Sequence, residues 1–175
     1  MKPLREVAQA YMAASEGDKK LQEGAFMEAL DCYNRAMAVS HSIPGEEAFD
    51  HTGFDALCHT GISGAFARME RHSEALRSAE IALHYFNRRG ELQKDEGKLW
   101  IAAVLNHAIA LHGSGRLQEA VKAFRMAAEM LAERKGDMPG KEEMLRLIEE
   151  HLAGLKSVVP DKKPAGYKAW WEFWS

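Results

Sequence analysis

The 175-residue sequence predicts an all-α protein built from stacked helix pairs. Apolar positions recur at helical spacing along almost the whole chain, whereas the sequence contains neither alternating strand patterns nor hairpin dipeptides. One residue pattern also occurs three times at fixed offsets, which indicates units that bury their apolar faces against one another. The copies are Gly17, Gly24, Ala29, Tyr33, Ala36; Ser63, Glu70, Ala75, Ala79, Ala82; and Ala108, Gly115, Ala120, Phe124, Ala127.

Composition narrows the class of protein. The chain is 46% hydrophobic and 28% charged, as ordinary globular domains are, so neither disorder nor a membrane core is indicated. A net charge of -3 gives no reason to expect nucleic acid as a partner. The N-terminal residues become charged before an apolar run develops, and no stretch of about 18 apolar residues follows. We therefore expect one cytoplasmic domain without a membrane partner.

Proline and glycine residues set the predicted helix boundaries. Pro3 suits a first helical turn, and stops are expected at Gly24, Pro44-Gly45, Gly90, 113–115 and 136–140. The predicted helices are 3–23, 26–41, 46–69, 73–89, 92–113, 117–134 and 141–156.

Within each helix pair the repeated residues have a packing role. The Ala residues are expected to let the second helix lie close against the first, while Tyr33 or Phe124 fills the wedge between them. Gly24 and Gly115 stand where a tight interhelical turn needs a positive φ.

These copies resemble the tetratricopeptide repeat (TPR), a helix-turn-helix unit with a Gly, Tyr, Ala, Phe signature. The resemblance covers about residues 10–43, 56–89 and 101–134, and it implies a right-handed superhelix of three helix pairs. The stretches 46–51 and 84–92 are also similar to a small bacterial family of TPR-like proteins of unknown function. That narrower resemblance implies lengthened helices but no activity.

The copies are separated by more than one repeat length. Ala75 follows Ala29 by 46 positions and Ala120 follows Ala75 by 45, whereas tandem TPR units recur every 34 residues. Because Pro44-Gly45 ends the preceding helix, most of the first insert is assigned to a longer third helix. The added length would be about 15 Å at 1.5 Å per residue.

The seventh helix has the pattern of a cap that closes the C-terminal end of the stack. Leu145, Ile148, Leu152 and Leu155 fall on one side, and charged residues fall largely on the other. The predicted helical domain therefore comprises residues 1–156.

Residues 157–175 are predicted to form an extended Pro/Lys linker and an aromatic C-terminal tail. A chain in water rarely leaves so much aromatic surface uncovered. Docking on the same chain or on a sister protomer is favoured, so that a homo-oligomer formed through the tail stays open; another protein ranks next and a lipid surface last. The expected docking residues are Tyr167, Trp170, Trp171, Phe173 and Trp174.

The TPR resemblance implies that the concave surface, lined by the first helix of each pair, captures a protein or peptide partner. By helical phase the expected lining residues are Tyr11, Ala14, Asp18, Leu21, Glu46, Asp50, Leu57, Thr60, Gly64, Arg68, Leu105, Asn106, Ile109 and His112. TPR domains that bind a partner's C-terminal carboxylates carry paired Lys, Arg and Asn residues there. Only Asn106 and Arg68 could contribute here, so that ligand class is disfavoured.

A competing hypothesis is a metal or small-ligand site. His51, Asp55 and His59 recur every fourth position, which places them along one stripe of the third helix, and imidazole and carboxylate at this spacing can converge on a divalent ion. The same spacing aligns them with Ile62 and Phe66, so a half-buried structural set is the favoured interpretation.

The sequence carries no Walker loop, dinucleotide glycine fingerprint, His-Glu-x-x-His or Gly-x-Ser-x-Gly motif. We therefore expect no enzyme and no cofactor. The sequence predicts a noncatalytic interaction module whose partner is a protein or peptide of unknown identity.

Overall fold

The computed structural model describes residues 3–159, and this part of the chain is helical without any strand. The aromatic tail, Tyr167, Trp170, Trp171, Phe173 and Trp174, lies outside the described residues. The helices are α1 (Pro3–Gln22), α2 (Phe26–Ser40), α3 (His51–Arg68), α4 (His72–Arg89), α5 (Glu96–Gly113), α6 (Leu117–Glu133) and α7 (Lys141–Leu155).

The helices pack as three pairs followed by a single helix, as the sequence predicts. The pairs are α1 with α2, α3 with α4 and α5 with α6, and α7 packs on α6. The first helices α1, α3 and α5 also contact one another in order, whereas no comparable contact joins α2, α4 and α6 within residues 3–159. The stack is therefore narrower on the side of the first helices, which form its concave surface.

The repeated alanines and aromatics occupy the predicted core. Tyr33 and Phe124 are fully buried, and so are the alanines at the equivalent positions of all three pairs, such as Ala29, Ala75 and Ala120. Burying one large side chain of this kind contributes about 1.5–3 kcal/mol relative to leaving it in water. The small residues place the paired helices close together, and each aromatic fills the space that remains between them.

The three interhelical turns share one backbone geometry. Gly24 and Gly115 have φ values of +78° and +76°, and Glu70 takes the same left-handed conformation at +58°. Each turn is closed by an amide that donates to a carbonyl five residues earlier; the bond from Arg71 N to Phe66 O, for example, is 2.9 Å long. The second unit thus keeps the repeat turn without glycine, at a conformational cost of about 1–2 kcal/mol.

The prediction that the first insert mainly lengthens the third helix is wrong. Helix α3 begins at His51 rather than at residue 46, and residues 41–50 form a loop whose Ile43 is buried. Helix α5 likewise begins at Glu96 rather than at residue 92. The physical reason at α3 is its N-cap, since the Asp50 carboxylate accepts a hydrogen bond from the amide of Gly53 at 2.9 Å.

Helix α7 caps the C-terminal end of the core. Ile148 and Leu155 are buried against the cluster formed by α4, α5 and α6, and Leu145 and Leu152 pack beside them half-buried. Glu143, Arg146, Glu149 and Glu150 stay exposed on its other side. The amphipathic pattern predicted from the sequence is therefore confirmed.

Candidate functional site

Polar contacts fix the spacing of the helices that form the concave surface. Asn106 of α5 donates from its side-chain amide to the carbonyl oxygen of Thr60 and to Oγ of Ser63 on α3, at 3.0 Å in both cases. Arg68, at the end of α3, donates to the carbonyl oxygen of Leu21 on α1 at 3.3 Å. The concave surface is therefore held in shape by the protein's own side chains.

The middle of α3 is covered by its neighbours. Gly64 lies so close to α5 that a Cβ atom at this position would be 3.3 Å from the side-chain nitrogen Nδ2 of Asn106. Thr60, one turn earlier, is buried, and its hydroxyl donates to the carbonyl oxygen of Ala56 at 2.8 Å. These residues set the distance between α3 and α5 and present little surface to a partner.

Two glycines enclose the ring of Tyr33 between α1 and α3. A Cβ atom would lie 2.9 Å from the ring at Gly17 and 2.2 Å from it at Gly61. Because the two glycines leave room for the ring, the Tyr33 hydroxyl can donate a 2.6 Å hydrogen bond to the carboxylate of Asp18. Burial raises the pKa of the Asp18 carboxyl group, and the bond from Tyr33 opposes that rise.

Apolar side chains remain accessible where α1 meets α3. Tyr11 is 50% exposed, and its ring contacts Phe54 and Phe49 edge-on, with centroid distances of 5.0 Å and 6.4 Å. Leu57 holds the position in α3 that Tyr11 holds in α1, and it is half-buried, as is Phe49. Tyr11, Phe49 and Leu57 are called the inner apolar patch below.

The predicted lining residues fall into four groups. The exposed members are Tyr11, Asp18 and Arg68. The half-buried members are Leu21, Leu57, Asn106, Ile109 and His112. The buried members are Ala14, Thr60, Gly64 and Leu105. Glu46 and Asp50 form the fourth group, because they precede α3.

The prediction that Glu46 and Asp50 lie on the third helix is wrong. Asp50 caps α3 and also accepts a 2.6 Å hydrogen bond from the hydroxyl of Tyr85, on the outer helix α4. Burial would raise the pKa of its carboxyl group, but the hydrogen bonds from Tyr85 and Gly53 outweigh that effect and lower it. Asp50 thus ties the loop to α4.

The histidine stripe of α3 does not form a metal site. Asp55 is bound by Nε2 of His41, which lies 2.9 Å from both carboxylate oxygens. His51 packs edge-on against Phe49, and burial lowers the pKa of the half-buried His59 imidazole against the opposing charge of Asp55. Within residues 3–159, no three His, Cys, Asp or Glu side chains lie together in a way that could hold a metal ion. The metal alternative has no support in this arrangement.

A histidine pair joins α5 to the capping helix. The Nδ1 atoms of His112 and His151 are 2.8 Å apart, and the His151 ring stacks on Phe124 at a centroid distance of 4.7 Å. One imidazole must donate and the other accept, so at least one of the two is neutral. Sequence reasoning missed this pair because its members are 39 residues apart and the register of α7 on α5 is set only by packing.

Mild acid is expected to destabilise the protein through this pair. Burial and the neighbouring His112 lower the pKa of His151 below its ordinary value of about 6.5. A depressed folded-state pKa means that the unfolded state binds the proton more readily, so stability present above about pH 6.5 is lost as the pH falls. The thermal midpoint should therefore drop between about pH 7.5 and about pH 5.

A variant isolates the contribution of the histidine pair from that of two other half-buried histidines, His59 and His107, whose pKa values burial also lowers. His151→Gln keeps a polar group but removes the titration, so its midpoint should fall less over the same pH range. Equal falls for the wild type and the variant would show that the pair does not carry the effect.

Taken together, the inner and outer helices and the interhelical turns define the chain as a TPR-like helical-repeat protein. A TPR-like protein from Chlorobium tepidum TLS, whose crystal structure is known, is 53% identical with a TM-score of 0.83. The match covers 89% of this chain and 99% of that one.

The family model described as Domain of Unknown Function (DUF3856) matches residues 2–144, and the chain belongs to this family. The sequence-based prediction of a small TPR-like family of unknown function is thereby confirmed. No curated protein matches the chain. Among residues 3–159, no helix combines the length and the apolar character needed to cross a bilayer.

Proposed function

We propose that the protein is a noncatalytic interaction module that receives a peptide, a helix or a tail of another protein on the concave surface of α1, α3 and α5. One observation carries the proposal. Apolar side chains remain partly exposed on this preformed surface, namely Tyr11 and Leu57 in the first halves of their helices and Ile109 further along α5. A contiguous apolar patch on a folded chain, such as the one formed by Tyr11, Phe49 and Leu57, commonly marks a contact with another molecule.

The fixed spacing of the inner helices favours binding over catalysis. The bonds from Asn106 and Arg68 hold the helices in place, so a partner would pay little for ordering the scaffold. Cys58 is buried, and its burial raises the pKa of the thiol to about 12, so this cysteine is not activated as a nucleophile.

The polar groups at the other edge of the surface indicate what kind of partner fits. Asp18 and Arg68 are exposed near the ends of α1 and α3, and His112 lies near the end of α5. Asp18 brings one negative charge and Arg68 one positive charge, so the charges of these two exposed side chains offset each other. A partner with apolar side chains and few charges suits it best, in contrast to an acidic terminus.

A matched pair of isoleucine variants tests the proposal. Ile109 is half-buried on the inner helix α5, whereas Ile81 is 46% exposed on the outer helix α4. Peptides selected on the full chain from a display library of random sequences should bind Ile109→Lys at least tenfold more weakly, which corresponds to a loss of about 1.4 kcal/mol. Ile81→Lys should leave their affinity unchanged, as measured by fluorescence anisotropy.

Two results would contradict the proposal. The first is a library that yields no peptide binder to a folded chain. The second is a set of binders that respond to Ile81→Lys but not to Ile109→Lys, because they would then occupy the outer helices.

A further inference from the structure

We propose that residues 167–174 of the same chain occupy the inner apolar patch, so that the concave surface is covered by the protein's own tail until a partner displaces it. The inference rests on the proposed function and adds a regulation to it. It follows from where the described chain ends, from the length of the connecting segment, and from the chemistry of the two surfaces.

The segment leaves the helical domain at the same edge as the ends of the inner helices. His151, four residues before the end of α7, meets His112, one residue before the end of α5, so the C-terminal ends of the two helices lie close together. After α7, the amide of Val159 donates to the carbonyl oxygen of Leu155 at 2.8 Å, and Val159 packs against the C-terminal core. The following residues therefore start at the edge of the stack where α5 and α7 end.

The connecting segment and the tail together have the length needed to reach the inner apolar patch. Residues 160–166 contain Pro160 and Pro164, and seven residues at about 3.1 Å each span roughly 22 Å. Packed helices lie about 8–10 Å apart, so the two steps from α7 to α3 take roughly 16–20 Å. Tyr167 can therefore arrive at the C-terminal end of α3. The seven residues 168–174, roughly 22 Å when extended, can then run back along the roughly 16 Å of helix that separates Arg68 from Leu57.

The two surfaces are chemically complementary. Residues 167–174 hold five aromatic side chains, and the inner apolar patch exposes an aromatic ring and an aliphatic side chain. The Asp18 carboxylate stands on the same face as the patch and can pair with Lys168 or accept from an indole N–H. Exposed Glu149 and Glu150 on α7 lie near the start of the segment that carries Lys162 and Lys163.

A second apolar surface competes for the same segment. A depression of about 510 Å³ on α1 and α2 is lined by Gln9, Met12, Ala13, Glu16, Arg35 and Val39. It lies on α1 and α2, further from α7 along the stack than the junction of α1 and α3 that carries the inner apolar patch. The shorter path favours the patch.

Tryptophan quenching in the full-length protein tests the proposal, with neighbouring residues as variant and control. Tyr11 and Met12 are both exposed on α1, 50% and 72%, and adjacent helical side chains diverge by about 100°. Three of the four tryptophans lie in the tail, and the fourth, Trp100, is buried. In the wild type, acrylamide should quench little of the emission. In Tyr11→Glu the three tail tryptophans should become quenchable, whereas Met12→Glu should behave like the wild type.

Far-ultraviolet circular dichroism confirms that each variant is folded, and sedimentation velocity at several concentrations gives the mass. The proposal is supported if the wild type is a monomer whose tail tryptophans are protected from acrylamide and if Tyr11→Glu makes these tryptophans quenchable. Wild-type tryptophans that are already quenchable, or release by Met12→Glu alone, overturn it. Protection that appears only in a dimer also overturns it, because the occupant is then the tail of a second copy. None of these readouts needs an external peptide, so failure here leaves the proposed function standing.

Discussion

Gly61→Ala is expected to lower the free energy of unfolding by about 2–3 kcal/mol. The new methyl group would lie 2.2 Å from the ring of Tyr33, which is fully buried and enclosed by Gly17 on its other side. The ring cannot move away without shifting α1 or α3. This cost exceeds the gain of about 1 kcal/mol that alanine brings to a helix interior.

Gly154→Ala is the matched control, because Gly154 also lies in a helix and a Cβ atom there meets nothing within 4 Å. It should raise stability by up to about 1 kcal/mol. Urea titration followed by circular dichroism measures both variants. Tyr33→Leu in the Gly61→Ala background should recover part of the loss, since the two residues are in contact. A Gly61→Ala protein as stable as the wild type would show that Tyr33 does not pass between α1 and α3.

Phe124→Ala should have the larger effect, a loss of about 3–5 kcal/mol. Phe124 is fully buried between α5 and α6, where its removal leaves a cavity that rigid neighbours cannot fill. It also carries the stacked ring of His151, so α7 loses part of its support. Chemical denaturation gives the loss, and hydrogen exchange should show the amides of α7 exchanging faster than those of α2.

Phe124→Leu serves as the comparison, because it keeps most of the volume and should cost less than about 1.5 kcal/mol. If both substitutions cost the same, the effect is not one of volume. If the amides of α7 and α2 accelerate equally, the stacking of His151 on Phe124 does not hold the cap.

The sequence predicted the features that depend on local pattern. Tyr33 and Phe124 were expected between paired helices and are buried there, and Gly24 and Gly115 take the expected positive φ. These features repeat at fixed offsets, so three copies supported each assignment. Glu70 shows the limit of residue preferences, because the turn keeps its geometry without glycine once the flanking helices are packed.

The start of α3 was not predicted because the residues before it are compatible with a helix. No residue among Glu46, Glu47 and Ala48 disfavours a helix strongly, and the helical periodicity of apolar positions continues through Phe49. Asp50 is a favoured N-cap residue, and giving it more weight would have placed the boundary correctly. Its bond with Tyr85 depends on tertiary packing and has no signal in the sequence.

Apart from Glu46 and Asp50, the lining residues predicted by helical phase lie on the expected helices, but several of them are not in the expected environments. Thr60 and Leu105 have the phase of the concave surface yet are buried, because α3 and α5 approach closely at Gly64. The importance of Gly61 was equally hidden, since it depends on where the ring of a residue on another helix lies. The distance between helix pairs decides both features, and it follows from side-chain packing.

The bonds between successive inner helices have a mechanical consequence. Each junction between successive inner helices, and the junction of α5 with α7, has its own side-chain hydrogen bond. These bonds join Arg68 to Leu21, Asn106 to Thr60 and His112 to His151. A force applied to the two ends of the domain would act on these three hydrogen-bonded junctions in series. We expect the domain to stretch elastically by small changes in superhelical pitch. At higher force the junctions should then separate one at a time, beginning with the junction that withstands the least force.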